Sequence, residues 1–337
     1  MKSRCAALIL ILCLILGTAA NALVSSGDSE AFTEPFLQSN GFLDNGLNTP
    51  RDYAFLDDTF YTYMSDSQVY TWVPGDLTAS PRYPLPKWPR YTKELYKDLS
   101  GSVKAELDNV VCNLVVHDGR LWAFNVFSGK FGEIGDGGIA WNDVRLDTSI
   151  LLESGSAYPN SIWRPFVYGG KLYGYYDLSW EKPGDVPAEP VILAFDLAAG
   201  SCDTLEIPGT LDVCEYTPGY VLLLQKDGES SLAMRKMSLD TGEIGDIPLD
   251  IPVQLEKSDY TDMWTAHYAV GGLAYNPAKD QIAFSIRGQV LLSTAGSPIA
   301  PAADLPQNIL IPNTKAWFLS DGRYAVQGGG IYVRNMN

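Results

Sequence analysis

The sequence predicts an all-β protein built from one repeated unit, and three observations carry that expectation. Short segments rich in Val, Ile, Tyr, Phe and Trp alternate with Gly, Asp and Pro turns along the whole chain. Helical periodicity is nearly absent; Tyr91 to Leu107 is the one candidate helix. Six tight turns, marked by Asp58, Gly119, Gly170, Gly219, Asp280 and Gly322, recur at intervals of 42 to 61 residues. Each is preceded by one apolar strand and followed by a second. Four strands in a unit of that length make a β-propeller blade.

Taken in order, residues 1–22 read as a secretory signal peptide. Lys2 and Arg4 form a positive start, Ala6 to Leu16 is an apolar run, and Ala20-Asn21-Ala22 supplies small residues for cleavage after Ala22. The run is too short to span roughly 30 Å of hydrocarbon as a helix. Leu10-Ile11-Leu12 ahead of Cys13 argue against a lipidated cysteine. A secreted, extracellular chain is therefore expected, with no membrane span after cleavage. The lack of any Asn-x-Ser/Thr sequon fits a bacterial source.

The segment 23–47 precedes the first turn unit. Units are then expected at about 48–108, 109–157, 158–209, 210–258, 259–312 and 313–337. Asp-Gly and Gly-Gly at the first turn of a unit suit tight hairpins, because Gly reaches positive φ without steric cost. A second marker ends the third strand of most units: Val73-Pro74-Gly75-Asp76, Arg145-Leu146-Asp147-Thr148, Ala194-Phe195-Asp196-Leu197, Ser238 to Gly242 and Leu291 to Gly296. An apolar fourth stretch follows several of them, such as Ile150-Leu151-Leu152 and Leu205-Glu206-Ile207. The sixth unit stops after Gly330 to Asn337, a third strand. Either an N-terminal segment, Phe32 to Phe42, closes the last blade, or the chain is truncated and a further C-terminal domain follows. A tandem pair of β-sandwiches is the competing fold, but no Pro/Ser/Gly-rich linker stands near position 170.

With those turns in place, residues 48 to 337 resemble the large bacterial propeller repeats of the WD40-like, kelch-like and quinoprotein-like group. The resemblance implies architecture and no active site. The Trp-Asp dipeptide is missing, and Ser65 to Trp72 approaches the sialidase Asp-box but lacks its Gly. The chain also looks like propeller modules of large secreted proteins of Gram-positive bacteria.

Composition excludes several functions. With 46% hydrophobic and 12% aromatic residues, the chain of 337 residues is not disordered. A net charge of −16 argues against nucleic acid as a partner. After Ala22 only Cys112, Cys202 and Cys214 remain, so at most one intrachain disulfide can form, with Cys202–Cys214 the nearest pair in sequence. No metal site or cofactor is expected: the histidines are His117 and His267 alone, and Gly135-Asp136-Gly137-Gly138 reads as a turn, not a calcium loop.

Propeller ligands commonly meet the face where inner strands begin. Long connections at Ser128 to Gly138 and Trp180 to Pro190 centre that face on units two and three. Candidate ligand-binding residues are Trp163 and Arg164 at an inner-strand start, Trp180 and Glu181 on the adjacent loop, and Asp262, Trp264, His267 and Tyr268 at the entry to unit five. Trp and Tyr beside carboxylates suit sugar rings or a protein partner, and equally suit gaps between blades. His117, at a hairpin end on the opposite face, is a weaker candidate. The expected function is a secreted binding or scaffolding module for a glycan, peptide or protein partner at the cell surface. The alternative is an extracellular carbohydrate-active enzyme with carboxylates at the channel mouth.

Overall fold

The computed structural model describes residues 29–31, 50–74, 80–87, 107–152, 162–176, 189–228, 230–251, 254–255, 270–294, 298–305, 315–327 and 331–336. They form six four-stranded antiparallel sheets arranged as a β-propeller. Blade 1 runs through Pro50–Leu56, Thr59–Met64, Gln68–Trp72 and Ser80–Pro84. Blade 2 comprises Asn113–His117, Arg120–Asn125, Lys130–Gly135 and Gly138–Trp141. Blade 3 has Trp163–Tyr168, Lys171–Tyr176, Val191–Asp196 and Cys202–Glu206. Blade 4 has Thr210–Glu215, Tyr220–Asp227, Ser231–Ser238 and Ile244–Asp246. Blade 5 has Val270–Asn276, Gln281–Ile286, Gln289–Thr294 and Ala300–Asp304.

Blade 6 takes three strands from the chain end, Ala316–Phe318, Tyr324–Gln327 and Ile331–Arg334. Its outer strand comes from the N-terminal side. Ser29–Ala31 pairs antiparallel with the last strand, Ser29 opposite Arg334 and Ala31 opposite Tyr332. The missing fourth strand is thus supplied within the chain, which covers an edge that would otherwise be open to pairing. The segment Phe32 to Phe42, expected to do this, lies outside the described residues; the strand falls just before it. Ser-Glu-Ala carries no β signal, and its place in the sheet comes from main-chain pairing with the last strand.

The apolar runs follow from burial on both sheet faces. Val221, Leu222, Leu223 and Leu224 are consecutive and all completely buried. Alternate side chains enter different cores: Leu222 and Leu224 join Phe284 between blades 4 and 5, while Val221 and Leu223 join Tyr175 between blades 3 and 4. Each of the other four blade interfaces has its own cluster, for example Phe60, Trp72 and Val333 between blades 1 and 6. The two-residue hairpins Asp57-Asp58, Asp118-Gly119 and Gly169-Gly170 have positive φ at both positions. That is the type I′ turn, which matches strand twist.

Blade 2 departs from the expected strand assignment. Ser128 to Gly138 is not a long connection, since Lys130–Gly135 is the third strand, with Phe131 and Ile134 buried. Its glycines hide it in the sequence. A Cβ on Gly132 would lie 2.6 Å from the Ala140 carbonyl oxygen and 2.7 Å from Trp141 Cα, so close strand packing explains that residue. Arg145 to Thr148 consequently lies beyond the fourth strand, and Ile150-Leu151-Leu152 falls in a helical turn, Ser149–Leu152. The candidate helix from Tyr91 lies outside the described residues except at Leu107. Among the described residues, no helix is long and apolar enough to cross a membrane.

Candidate functional site

Counting back from each hairpin turn places one residue of every inner segment at the same level: Asp52, Asn113, Arg164, Asp212, Gly272 and Lys315. Polar groups at such depth are costly unless paired. Here each makes at least one bond across a blade interface, while Asn113 Oδ1 and Arg164 Nε are buried without a hydrogen-bond partner among the described residues. Asp52 Oδ2 accepts from the Leu114 N–H at 2.7 Å, tying blade 1 to blade 2. Asn113 donates to the Ile162 carbonyl at 2.9 Å, reaching blade 3. Arg164 donates to the Asp212 carboxylate at 2.7 Å and to the Leu273 carbonyl at 2.7 Å. Asp212 accepts in turn from the Leu273 N–H at 2.8 Å, joining blades 4 and 5. The Tyr324 hydroxyl donates to the Gly272 carbonyl, joining blades 5 and 6. Lys315 closes the circle, 2.7 Å from Asp52 Oδ1 and 2.6 Å from the Tyr53 carbonyl oxygen. The two cations and two carboxylates of this ring cancel.

A cavity of about 450 Å³ lies along the inner strands, and all six blades line it. That size is in the range of small-ligand sites. Arg164 and Lys315 border it at the level of the polar ring. Nearer the hairpin turns, a second level comprises Phe55, Val116, Val167, Glu215, Tyr275 and Phe318, all of which line the cavity. Trp317 lines it as well, its ring 6.1 Å from Phe55 and edge-on to Phe60 at 5.6 Å. His117 and Asp118 border it at the turn of blade 2, with Nε2 3.4 Å from the Asp118 carboxylate.

Glu215 is the one carboxylate of the second level. Its side chain meets the water of the cavity, yet protein surrounds it, and burial raises its pKa. Among the described residues no cation lowers it again; Arg164 and Lys315 are committed to Asp212 and Asp52. Its carboxylate makes no hydrogen bond or ion pair among the described residues. Tyr275, on the neighbouring inner strand, is pushed up to about 12 by burial and by its hydrogen bond to Asp280. Its ring meets Tyr216 edge-on at 4.5 Å.

Of the sequence candidates, Arg164 lines the cavity. It is buried, has φ 49°, and sits in the register shift between Trp163 and Phe166. A non-glycine residue in that region is held there by its surroundings, here by the two interblade bonds of its guanidinium. Trp163 is half-buried, 5.5 Å from Tyr175, and packs against the core between blades 3 and 4. Trp180, Glu181, Asp262, Trp264, His267 and Tyr268 lie outside the described residues. Glu215, Tyr275, Trp317 and Phe318 were missed by sequence reasoning. The signal for Glu215, Tyr275 and Phe318 was their equal distance from the hairpin turns, legible only once the inner strands are aligned on one another; Trp317 stands one residue farther from its turn and shares no such signal.

Cys112, Cys202 and Cys214 are free thiols; Cys202 lies on the outer strand of blade 3 and Cys214 on the inner strand of blade 4. Burial pushes Cys112 and Cys202 up to about 12 and Cys214 higher still. Alkylation by iodoacetamide at pH 8 is therefore expected to run at least ~10-fold slower in the native protein than in denaturant. Mass mapping of the modified cysteines checks this, and rapid native labelling of Cys112 or Cys214 would contradict it. Among the described residues, no group of three or more His, Cys, Asp and Glu converges to hold a metal ion.

Fold and cavity together define a six-bladed β-propeller closed by its own N-terminal strand, with aromatic and charged groups lining its channel. No protein-family model matches the chain, and no curated protein matches it by sequence. Several solved structures are weakly similar to the chain. The U3-55K structure has a TM-score of 0.47 at 9% identity, covering 92% of this chain and 99% of that one. Virginiamycin B lyase from Staphylococcus aureus has 0.45 at 12% identity, covering 86% and 95%. The extracellular domain of the putative one-component system BT4673 from B. thetaiotaomicron has 0.43 at 10% identity. This chain covers 86% of itself in that match and only 33% of the other protein.

Proposed function

We propose that the chain is a secreted binding or scaffolding propeller whose ligand, a glycan or a peptide segment of a protein partner, enters the central cavity. The support is the second level of that cavity, where three aromatic residues and two valines share the level with one carboxylate that is uncommitted among the described residues. Aromatic faces supply apolar contact area, and a single polar group supplies orientation. Asp52 and Asp212 hold backbone N–H groups and cations, which suits them to holding the blades together rather than to acid–base work. Export through the segment ending at Ala22 is part of the reading, and N-terminal sequencing of protein recovered from the medium tests it.

A glycan array and a peptide array probed with the purified protein test the binding. Tyr275→Ala and Trp317→Ala are expected to weaken any hit by about 5- to 150-fold, on the ~1–3 kcal/mol of a well-buried aromatic contact, while the far-ultraviolet circular dichroism stays that of the wild type. Hits that survive both variants would place the site elsewhere. The enzyme reading needs a second carboxylate converging on Glu215; Asp118, which also lines the cavity, sits in an exposed turn against His117. A reducing-end release assay on the same glycans tests that alternative, and release abolished by Glu215→Gln would favour it over simple binding.

A further inference from the structure

We propose that the central cavity receives a basic side chain, the ammonium or guanidinium of a peptide partner, against Glu215 and the aromatic groups at its level. This rests on the binding reading above and names its ligand chemistry. At the Glu215 level the other five places hold Phe55, Val116, Val167, Tyr275 and Phe318, so the carboxylate stands alone among apolar and aromatic groups. A single negative charge in such surroundings favours a cation that also meets ring faces, where cation–π attraction adds to the ion pair. Among the described residues, the cavity supplies no free cation for that place. Arg164 and Lys315 are each 2.7 Å from a carboxylate, and His117 lies beside Asp118. The net charge of −16 further favours approach of a basic ligand over an acidic one.

The carboxylate also carries a cost that a ligand would relieve. Burial raises the Glu215 pKa, so folding disfavours its charged form, and stability falls as pH rises through the raised value. A bound cation reverses that penalty. Glu215→Gln, neutral at every pH, is therefore expected to melt at the same temperature as the wild type or higher at neutral pH, which keeps it usable as a folded control.

The experiment is calorimetric titration of the purified protein at neutral pH and low ionic strength with three probes. These are Nα-acetyl-lysine methylamide, Nα-acetyl-arginine methylamide and the neutral isostere Nα-acetyl-citrulline methylamide. At least one basic probe is expected to bind 10-fold or more tightly than the citrulline probe, with an ammonium preference if lysine leads and a guanidinium preference if arginine leads. Glu215→Gln is expected to bring the basic probe down to the citrulline level. Equal binding of all three probes, an unchanged affinity in Glu215→Gln, or silence of both basic probes overturns the assignment. If the basic probes fail while an array hit is lost in Tyr275→Ala, the cation is wrong and channel binding stands. If the arrays are silent too, both readings fall.

Discussion

Arg164→Met is expected to destabilise the propeller by about 3–5 kcal/mol, read as a lower midpoint in urea with an unchanged slope. The guanidinium and the Asp212 carboxylate lie 2.7 Å apart with side chains only 7% and 3% exposed. Removing the cation leaves a buried charge with no counterion, which costs more than the lost contact itself. Backbone strain does not confound the change, because Met and Arg pay alike for φ 49° at this place. Adding Asp212→Asn removes the orphaned charge while keeping an oxygen to accept the Leu273 N–H. The double variant Arg164→Met/Asp212→Asn is accordingly expected to recover roughly half of the loss or more. Recovery is helped because Arg164 Nε, buried, has no hydrogen-bond partner among the described residues, so the native pair is itself imperfectly compensated. Additive losses in the two single variants would show that the pair does not couple blades 3 and 4.

Gly272→Ala is expected to cost roughly 2–4 kcal/mol, the sum of a left-handed backbone penalty and a forced repacking. Its φ is 69°, and an added Cβ would lie 2.5 Å from the Tyr324 hydroxyl oxygen and 3.0 Å from Val326 Cγ2. Tyr324 is completely buried and donates to the Gly272 carbonyl, so it cannot move aside without breaking the bond between blades 5 and 6. Gly119→Ala separates the two causes. Its φ is 66°, but a Cβ there meets nothing within 4 Å, so only the backbone term of about 1–2 kcal/mol applies. Equal effects of the two substitutions in thermal or urea unfolding would mean that the contact with Tyr324 contributes nothing.

Blade number and most hairpins were legible in the sequence. Asp118-Gly119 and Gly169-Gly170 announce type I′ turns, and the double-sided burial of every blade turns strands such as Val221 to Leu224 into unbroken apolar runs. Blade 2 was less legible. Lys130–Gly135 carries three-residue spacing of glycine that reads as loop, and its place in the sheet depends on contacts with Trp141 and Ala140 that no local pattern reports. The closing strand was hidden for a different reason: Ser29–Ala31 gains its partners from the far end of the chain, opposite Arg334 to Tyr332.

The candidate site divides the same way. Arg164 drew attention as a charged residue at the start of an inner strand, and it does line the cavity. Its significance depends on Asp212, 48 residues away, and on Leu273, 109 residues away. Glu215 carries no motif at all. It becomes distinctive because five other strands place apolar or aromatic residues at its level. By itself, then, the sequence determined the repeat, because turn chemistry and the two-sided burial of a strand are local properties. Only the tertiary structure decided which side chains converge on the axis, because that convergence is a product of blade closure, and the distances that set charge pairing and burial exist only between segments far apart in the chain.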